Sequence, residues 1–249
     1  KSGIGFIEVL KNDADKKAFP IEYDLEVKAE EFIVEDGRVT GVRAVAANGT
    51  PYEYKAGKGV VLATGGFGAN VEMRVKYNSI WADLGPTVPT TNSPAITGDG
   101  ILMAQEVGAN LVGMDKIQLL IADPKTGETS TNVGDTTSMY VNQEGHRFVN
   151  ESERRDVLCA STLEQTNGMM YIISSYQNSR LDENYVNTYG IHVDDLVERG
   201  AVYKADTIEE LAEQIGMDPA TLRKTVDDYN AAIDAGYDEL TGRTAFNET

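Results

Sequence analysis

The chain has 249 residues, 41% of them hydrophobic, which is room for one large domain or two ordinary ones around a real core. Its 22 basic and 40 acidic residues give a net charge of −18, which argues against nucleic acid or an anionic membrane surface as partner and requires any anionic ligand to meet locally concentrated cations. One cysteine (Cys159) and two histidines in separate segments (His146, His192) exclude an internal disulfide and speak against a cysteine-rich or histidine-rich metal centre.

No window reaches the roughly 18 consecutive apolar residues of a membrane span, and no basic-then-apolar leader opens the sequence. The chain starts without methionine, directly in an amphipathic pattern (Phe6, Ile7, Leu10), so a fragment of a longer protein is expected. The compartment stays open. The spacing predicts a helix from about Ser2 to Lys17, closed by Pro20. Extended segments are predicted at Leu25–Val34, Arg38–Ala46 and Pro51–Lys55, joined by the hairpin signals Glu35-Asp36-Gly37 and Asn48-Gly49. The run Val60-Val61-Leu62-Ala63 reads as a buried strand that ends in Thr64-Gly65-Gly66-Phe67-Gly68. Glycines there suit either a backbone approached closely by a nucleotide-type ligand or a tight structural turn.

Asn70 to Tyr77 has the pattern of a short helix, and Trp81 to Pro94 that of a loop with Pro86, Pro89 and Pro94. Thr97-Gly98-Asp99-Gly100 leads into the helical stripe Ile101, Leu102, Ala104, Val107. The positive end of that helix favours an anionic or polar ligand, while Asp99 also suits a plain capping role. Ile117–Ile121 reads as an apolar strand or edge, Asp123–Asp135 as a polar loop, Ser138–Asn142 as a strand and Gln143-Glu144-Gly145 as a turn. Asn150-Glu151-Ser152-Glu153 offers cap chemistry for a helix to about Gln165, and Tyr171-Ile172-Ile173 reads as a buried strand. The capping box Thr207-Ile208-Glu209-Glu210 opens a helix to Ile215, and Asp218-Pro219 opens another to about Ala235, stopped by Gly236. These two form an αα-hairpin, and the whole is a mixed α/β (α+β) layout.

Several segments, in this order and spacing, resemble the flavoprotein subunits of the fumarate reductase and succinate dehydrogenase superfamily, particularly soluble flavocytochrome c-type fumarate reductases and single-chain ene-reductases. They are Val60 to Phe67, Thr91-Asn92-Ser93-Pro94 with Thr97-Gly98-Asp99-Gly100, Ile117-Gln118, the run Tyr140 to Glu151, and Arg154-Arg155-Asp156. The resemblance implies a Rossmann-like FAD-binding domain with an inserted capping domain. Residues 1–115 would be a partial FAD-binding domain with the antiparallel meander, lacking the dinucleotide fingerprint and a C-terminal segment. Residues 116–249 would be the cap.

The resemblance also implies site residues. It places Val27 beside the adenine of FAD, Ala63, Thr64, Gly65 and Gly66 along the nucleotide, and Asp99 near the flavin. Arg155 aligns with the arginine that delivers a proton while reduced flavin passes hydride to the adjacent carbon. A guanidinium essentially never gives up its proton at equilibrium, so this works only as a relay, or as a fork that clamps a carboxylate. The competing reading pairs Arg155 with Glu151 or Glu153 on a helix surface.

Two departures from the family bear on substrate. Where fumarate reductases carry a substrate-binding histidine after Ile-Gln, this chain has Leu119-Leu120-Ile121, and Ser130–Ser138 holds neither the glutamate nor the relay arginine expected there. The implied activity is FAD-dependent reduction of a conjugated C=C bond in a small unsaturated molecule that is bulkier and less charged than fumarate. The alternatives are a flavin dehydrogenase of a steroid-like cyclic ketone and a binding or interaction module without catalysis. The electron donor stays open, and the chain by itself is expected to hold no FAD tightly and to be inactive.

Overall fold

The computed structural model describes residues 3–16, 21–135 and 137–246. In chain order its elements are α1 (Ile4–Asp15), β1 (Val27–Glu35), β2 (Arg38–Ala46), β3 (Pro51–Lys55), α2 (Val71–Tyr77), α3 (Asp99–Glu106), β4 (Met139–Val141), α4 (Arg155–Leu163), β5 (Tyr171–Ile173), α5 (Val193–Glu198), α6 (Ile208–Ile215) and α7 (Pro219–Ala235). They form two compact units, Lys1–Gly66 with Gly98–Leu111, and Phe67–Thr97 with Val112–Thr249. The fold is mixed helix and sheet.

In the first unit β1, β2 and β3 make an antiparallel meander in that order. The β1–β2 turn works because Asp36 and Gly37 both take positive φ (51° and 75°), the combination that a twisted two-residue hairpin loop needs. At Gly41 a side chain is impossible, since its Cβ would lie within van der Waals range of the Tyr54 carbonyl oxygen across the β3 ladder. On the exposed face Arg43 bridges Glu31 on one neighbouring strand and Glu53 (2.8 Å) on the other. Cross-strand charge pairs of this kind each add a fraction of a kcal/mol. Helix α1 follows the predicted pattern, and its apolar residues Ile4, Phe6, Ile7, Val9 and Leu10 are all exposed. The predicted ends Ser2 and Lys17 and the break at Pro20 lie outside the described residues.

Two predicted strands do not form. Val60–Ala63 carries no ladder, and Val61 is 89% exposed. Ile117–Ile121 likewise runs without strand pairing. Apolar, β-favouring residues become a strand only where another strand meets their N–H and C=O groups, and among the described residues none does so here.

The second unit is built around Met139, Val141, Ile173, Ala212, Met217, Leu222, Tyr229 and Phe246. Strands β4 and β5 pair antiparallel, with Tyr140 opposite Ile172, as their sequences predict, although Tyr171 and Ile172 are only half-buried. The α6–α7 hairpin closes this core. Thr207 accepts from the Glu210 backbone N–H (3.2 Å), Asp218 accepts from Thr221 N–H (2.8 Å), Pro219 opens α7, and Gly236 ends it in a left-handed conformation. Complete burial of a residue such as Leu222 stabilises by about 1.5–3 kcal/mol.

Helix α4 begins later than predicted. Asn150 makes a local turn, its Oδ1 accepting from Ser152 N–H (3.0 Å), and the helix starts only at Arg155. The cause is Glu151, whose carboxylate is drawn into the interior and is not available to a helix start. Helix α5 and a short 3-10 turn at Thr166–Gly168 had no counterpart in the sequence pattern.

Candidate functional site: a glycine cradle and an unpaired arginine

In the first unit the segment Leu62–Gly66 lies against the start of α3. Gly100 permits that approach: a Cβ there would clash with Thr64 Oγ1 and sit 2.8 Å from Leu62 Cδ1. Gly65 takes φ 79°, a conformation that L side chains avoid, and the space beside Gly66 is open, with nothing within 4 Å of where a Cβ would stand. Gly98, at φ 83°, is the residue before α3, and Asp99 is the first helical residue. The capping role considered for Asp99 is therefore taken by Gly98, without a side-chain hydrogen bond.

Lys28 on β1 reaches Asp99 at 3.9 Å, which ties the start of the meander to the start of α3. Val27 and Lys28, with Glu26, Val45, Ala46 and Ala47, line an open groove of about 440 Å³. Val27, Ala63, Thr64, Gly65, Gly66 and Asp99 thus belong to one compact unit. Main chain without Cβ atoms at Gly65 and Gly66, close to the start of α3, leaves the backbone N–H and C=O groups open to close approach. Lys28 was not anticipated, because a lysine in a strand reads as a solvated position.

Arg155 belongs to the second unit. As the first residue of α4 it is exposed, and among the described residues its guanidinium has no hydrogen-bond or ion-pair partner. Neither Glu151 nor Glu153 pairs with it. One turn on lies Cys159, whose thiol is pushed up by burial, an effect that the charge of Arg155 opposes.

Glu151 is held elsewhere. Its carboxylate accepts from Arg147 Nε (2.7 Å) and Nη2 (2.9 Å) and from Arg243 Nη1 (3.0 Å), while Arg147 Nη2 also donates to Asp238 (2.8 Å). These four side chains are at most 5% exposed. The Arg147 guanidinium stacks 4.4 Å over the ring of Tyr229, whose hydroxyl accepts from Arg243 (2.8 Å) and donates to the Thr137 carbonyl (3.1 Å). Two residues of the segment Tyr140 to Glu151, Arg147 and Glu151, thus serve as an internal clasp. The Arg147/Glu151 spacing of four is visible in the sequence, but nothing there joins it to Asp238 and Arg243.

The sequence profile of the FAD binding domain family matches residues 2–248, and the chain belongs to that family, among the flavoproteins of the fumarate reductase and succinate dehydrogenase superfamily. FAD is the cofactor of this family.

The chain is 39% identical over 251 residues to the NADH:acrylate oxidoreductase of Vibrio harveyi, covering 98% of this chain and 24% of that protein. It is 39% identical over 229 residues to the urocanate reductase of Eggerthella lenta, covering 88% and 37%. Among solved structures, the open conformation of a flavocytochrome c3 fumarate reductase superposes with a TM-score of 0.68 at 31% identity, over 100% of this chain and 42% of that one. A 3-ketosteroid-Δ4-(5α)-dehydrogenase from Rhodococcus jostii RHA1 superposes with a TM-score of 0.57 at 26% identity, over 95% and 45%. The chain therefore spans from 24% to 45% of the length of these proteins.

Proposed function

We propose that the chain is part of an FAD-dependent oxidoreductase that reduces the conjugated C=C bond of a small unsaturated carboxylic acid other than fumarate. The observation that carries the reading is Arg155, an exposed guanidinium that among the described residues has no acidic partner although Glu151 and Glu153 are close in sequence. The names of the acrylate- and urocanate-reducing relatives support a small unsaturated acid as substrate.

In this reading residues 1–115 lie on the FAD-binding side, of Rossmann-like design, and residues 116–249 form the cap. Val27, Ala63, Thr64, Gly65, Gly66 and Asp99 hold FAD along bare main chain, and the bound cofactor supplies the hydride. Arg155 grips the substrate carboxylate with parallel N–H donors, stabilises the negative charge that develops beside it, and passes a proton to the carbon next to the one that receives hydride. Because a guanidinium is not a proton source at equilibrium, its proton must be replaced as it leaves, and with no Glu or Arg in Ser130–Ser138 to relay it, that proton comes from solvent water reaching the exposed Arg155.

The test is Arg155→Lys and Arg155→Ala in the full-length, flavin-loaded protein. Turnover per flavin should fall by about 10²–10⁴ with flavin content unchanged. Unaltered turnover removes Arg155 from the mechanism, and a full-length protein purified without flavin ends the reading. Likeness to the ketosteroid dehydrogenase supports a second reading, oxidation of a cyclic ketone, and turnover with artificial acceptors but not donors would select it. The lack of Glu and Arg in Ser130–Ser138 supports a third, a non-catalytic binding module, which flavin-loaded protein inert in both directions would favour.

A further inference from the structure

Residues 150–155 have two courses open to them. Asn150-Glu151-Ser152-Glu153 has the pattern of a helix start, and a helix opened there would stack Glu151 one turn ahead of Arg155. An acid four residues before a base is the favourable order for an ion pair along a helix, and an acid in the first turn also suits the helix dipole. The folded chain takes the other course. Asn150 Oδ1 accepts from Ser152 N–H (3.0 Å), its carbonyl accepts from Glu153 N–H (3.0 Å), Arg154 stays extended at ψ 152°, and α4 starts only at Arg155.

What decides between the two is the clasp. Arg147 holds the Glu151 carboxylate by two hydrogen bonds (2.7 and 2.9 Å), Arg243 by a third (3.0 Å), and the Tyr140 backbone N–H adds a fourth (3.3 Å). The guanidiniums of Arg147 and Arg243 balance the carboxylates of Glu151 and Asp238, so removal of one member strands another in the interior. The remaining acids beside Arg155 do not compete for it. Asp156 pairs with Arg154 (2.8 Å), and Glu153, two residues back, does not share a helix face with Arg155. Three and four residues on stand Leu158 and Cys159, both buried and neither an acid. Glu151 is therefore the acid that helical spacing would bring to Arg155, and the clasp withholds it.

Resting on the reductase reading above, we infer that Arg147 and Arg243 are positioning residues for Arg155: by keeping Glu151 inside, they hold α4 to its short form and leave the Arg155 guanidinium free for the substrate carboxylate. The clasp acts on the site through a competitor that it removes, not through a contact of its own. Once its grip is weakened, Glu151 is a poorly paired carboxylate in the interior, a costly state that is relieved when the side chain turns out to Arg155. There it occupies the donors that the substrate needs.

The experiment uses the full-length, flavin-loaded protein carrying Arg147→Gln, alone and combined with Glu151→Gln. One readout is the flavin absorption spectrum titrated with propionate, a carboxylate with no double bond to reduce. The other is the rate at which phenylglyoxal, a reagent for free guanidinium groups, modifies Arg155, followed by peptide mass spectrometry with the paired Arg154 as internal control. Arg147→Gln should weaken propionate binding and slow the modification of Arg155, each by about twofold to fivefold, the range of an exposed ion pair. Adding Glu151→Gln should reverse both effects, although it takes a second member out of the clasp. If the double variant is as impaired as the single one or more so, the clasp is merely structural and the inference fails. A modification rate that Arg147→Gln does not move overturns it equally. Should Arg147→Gln not fold, Arg243→Lys with and without Glu151→Gln puts the same question to the other guanidinium. Modification needs neither substrate nor turnover, so the expected pattern in a protein that neither binds propionate nor reduces an enoate would remove the reductase reading and leave the hold of the clasp on Arg155 standing.

Discussion

A buried carboxylate is costly unless every lone pair is answered, and Glu151 and Asp238 show how this chain answers them. Burial alone would raise the Asp238 carboxyl, but hydrogen bonds from Arg147 and Thr241 outweigh it and hold the group below the ordinary aspartate value. A depressed acid stabilises the fold above its unfolded pKa of about 3.9, and that contribution disappears as pH falls through the lower folded value. Thermal melts between pH 7 and 2 should therefore show an acid limb that Asp238→Asn flattens. At pH 7 the same variant, which leaves Arg147 with one acid instead of two, should cost about 3–5 kcal/mol in chemical denaturation. An equal slope in wild type and variant would mean that Asp238 does not drive the acid limb. In the sequence the glycines at 65 and 66 stand out by their spacing after an apolar run, while Arg155 and Thr64 are singled out only by the family resemblance. The clasp was not: Arg147 and Asp238 are 91 positions apart, and charge in a sequence reads as surface until a fold buries it.

At the level of elements, what the sequence revealed were the pieces whose stability is local. The α6–α7 hairpin carries its own start and stop signals, and Thr207, Asp218, Pro219 and Gly236 all sit where those signals place them. The three meander strands were legible because hairpin turns bring each strand its partner within a few residues. Val60–Ala63 and Ile117–Ile121 failed as strands for the opposite reason, since apolar content is a property of the segment and pairing a property of its surroundings. The start of α4 was misplaced because Asn150 uses its cap chemistry in a local turn with Ser152 and Glu151 is held in the ion clasp. For the caps themselves, Thr207→Ala should lower stability by about 1 kcal/mol, as replacement of a capping hydroxyl typically does. Loss of helical signal confined to α6 in hydrogen exchange would locate the effect, and exchange unchanged through Ile208–Ile215 would refute it.

On the scale of the whole chain, the fold is mixed helix and sheet and the chain belongs to the FAD binding domain family; the first compact unit holds the glycine-rich Leu62–Gly66 segment and the second holds the exposed Arg155. The first unit also leaves oily side chains in water, Phe6 at 77% and Val61 at 89% exposed. Colloidal dispersion of this polypeptide then depends on mutual repulsion among molecules that each carry 18 negative charges in excess. Acidifying a concentrated sample from pH 7 toward 5 should produce reversible light scattering well before any loss of circular dichroism, and salt at neutral pH should do the same more weakly. A solution that stays clear until it unfolds would show that these surfaces do not adhere to one another.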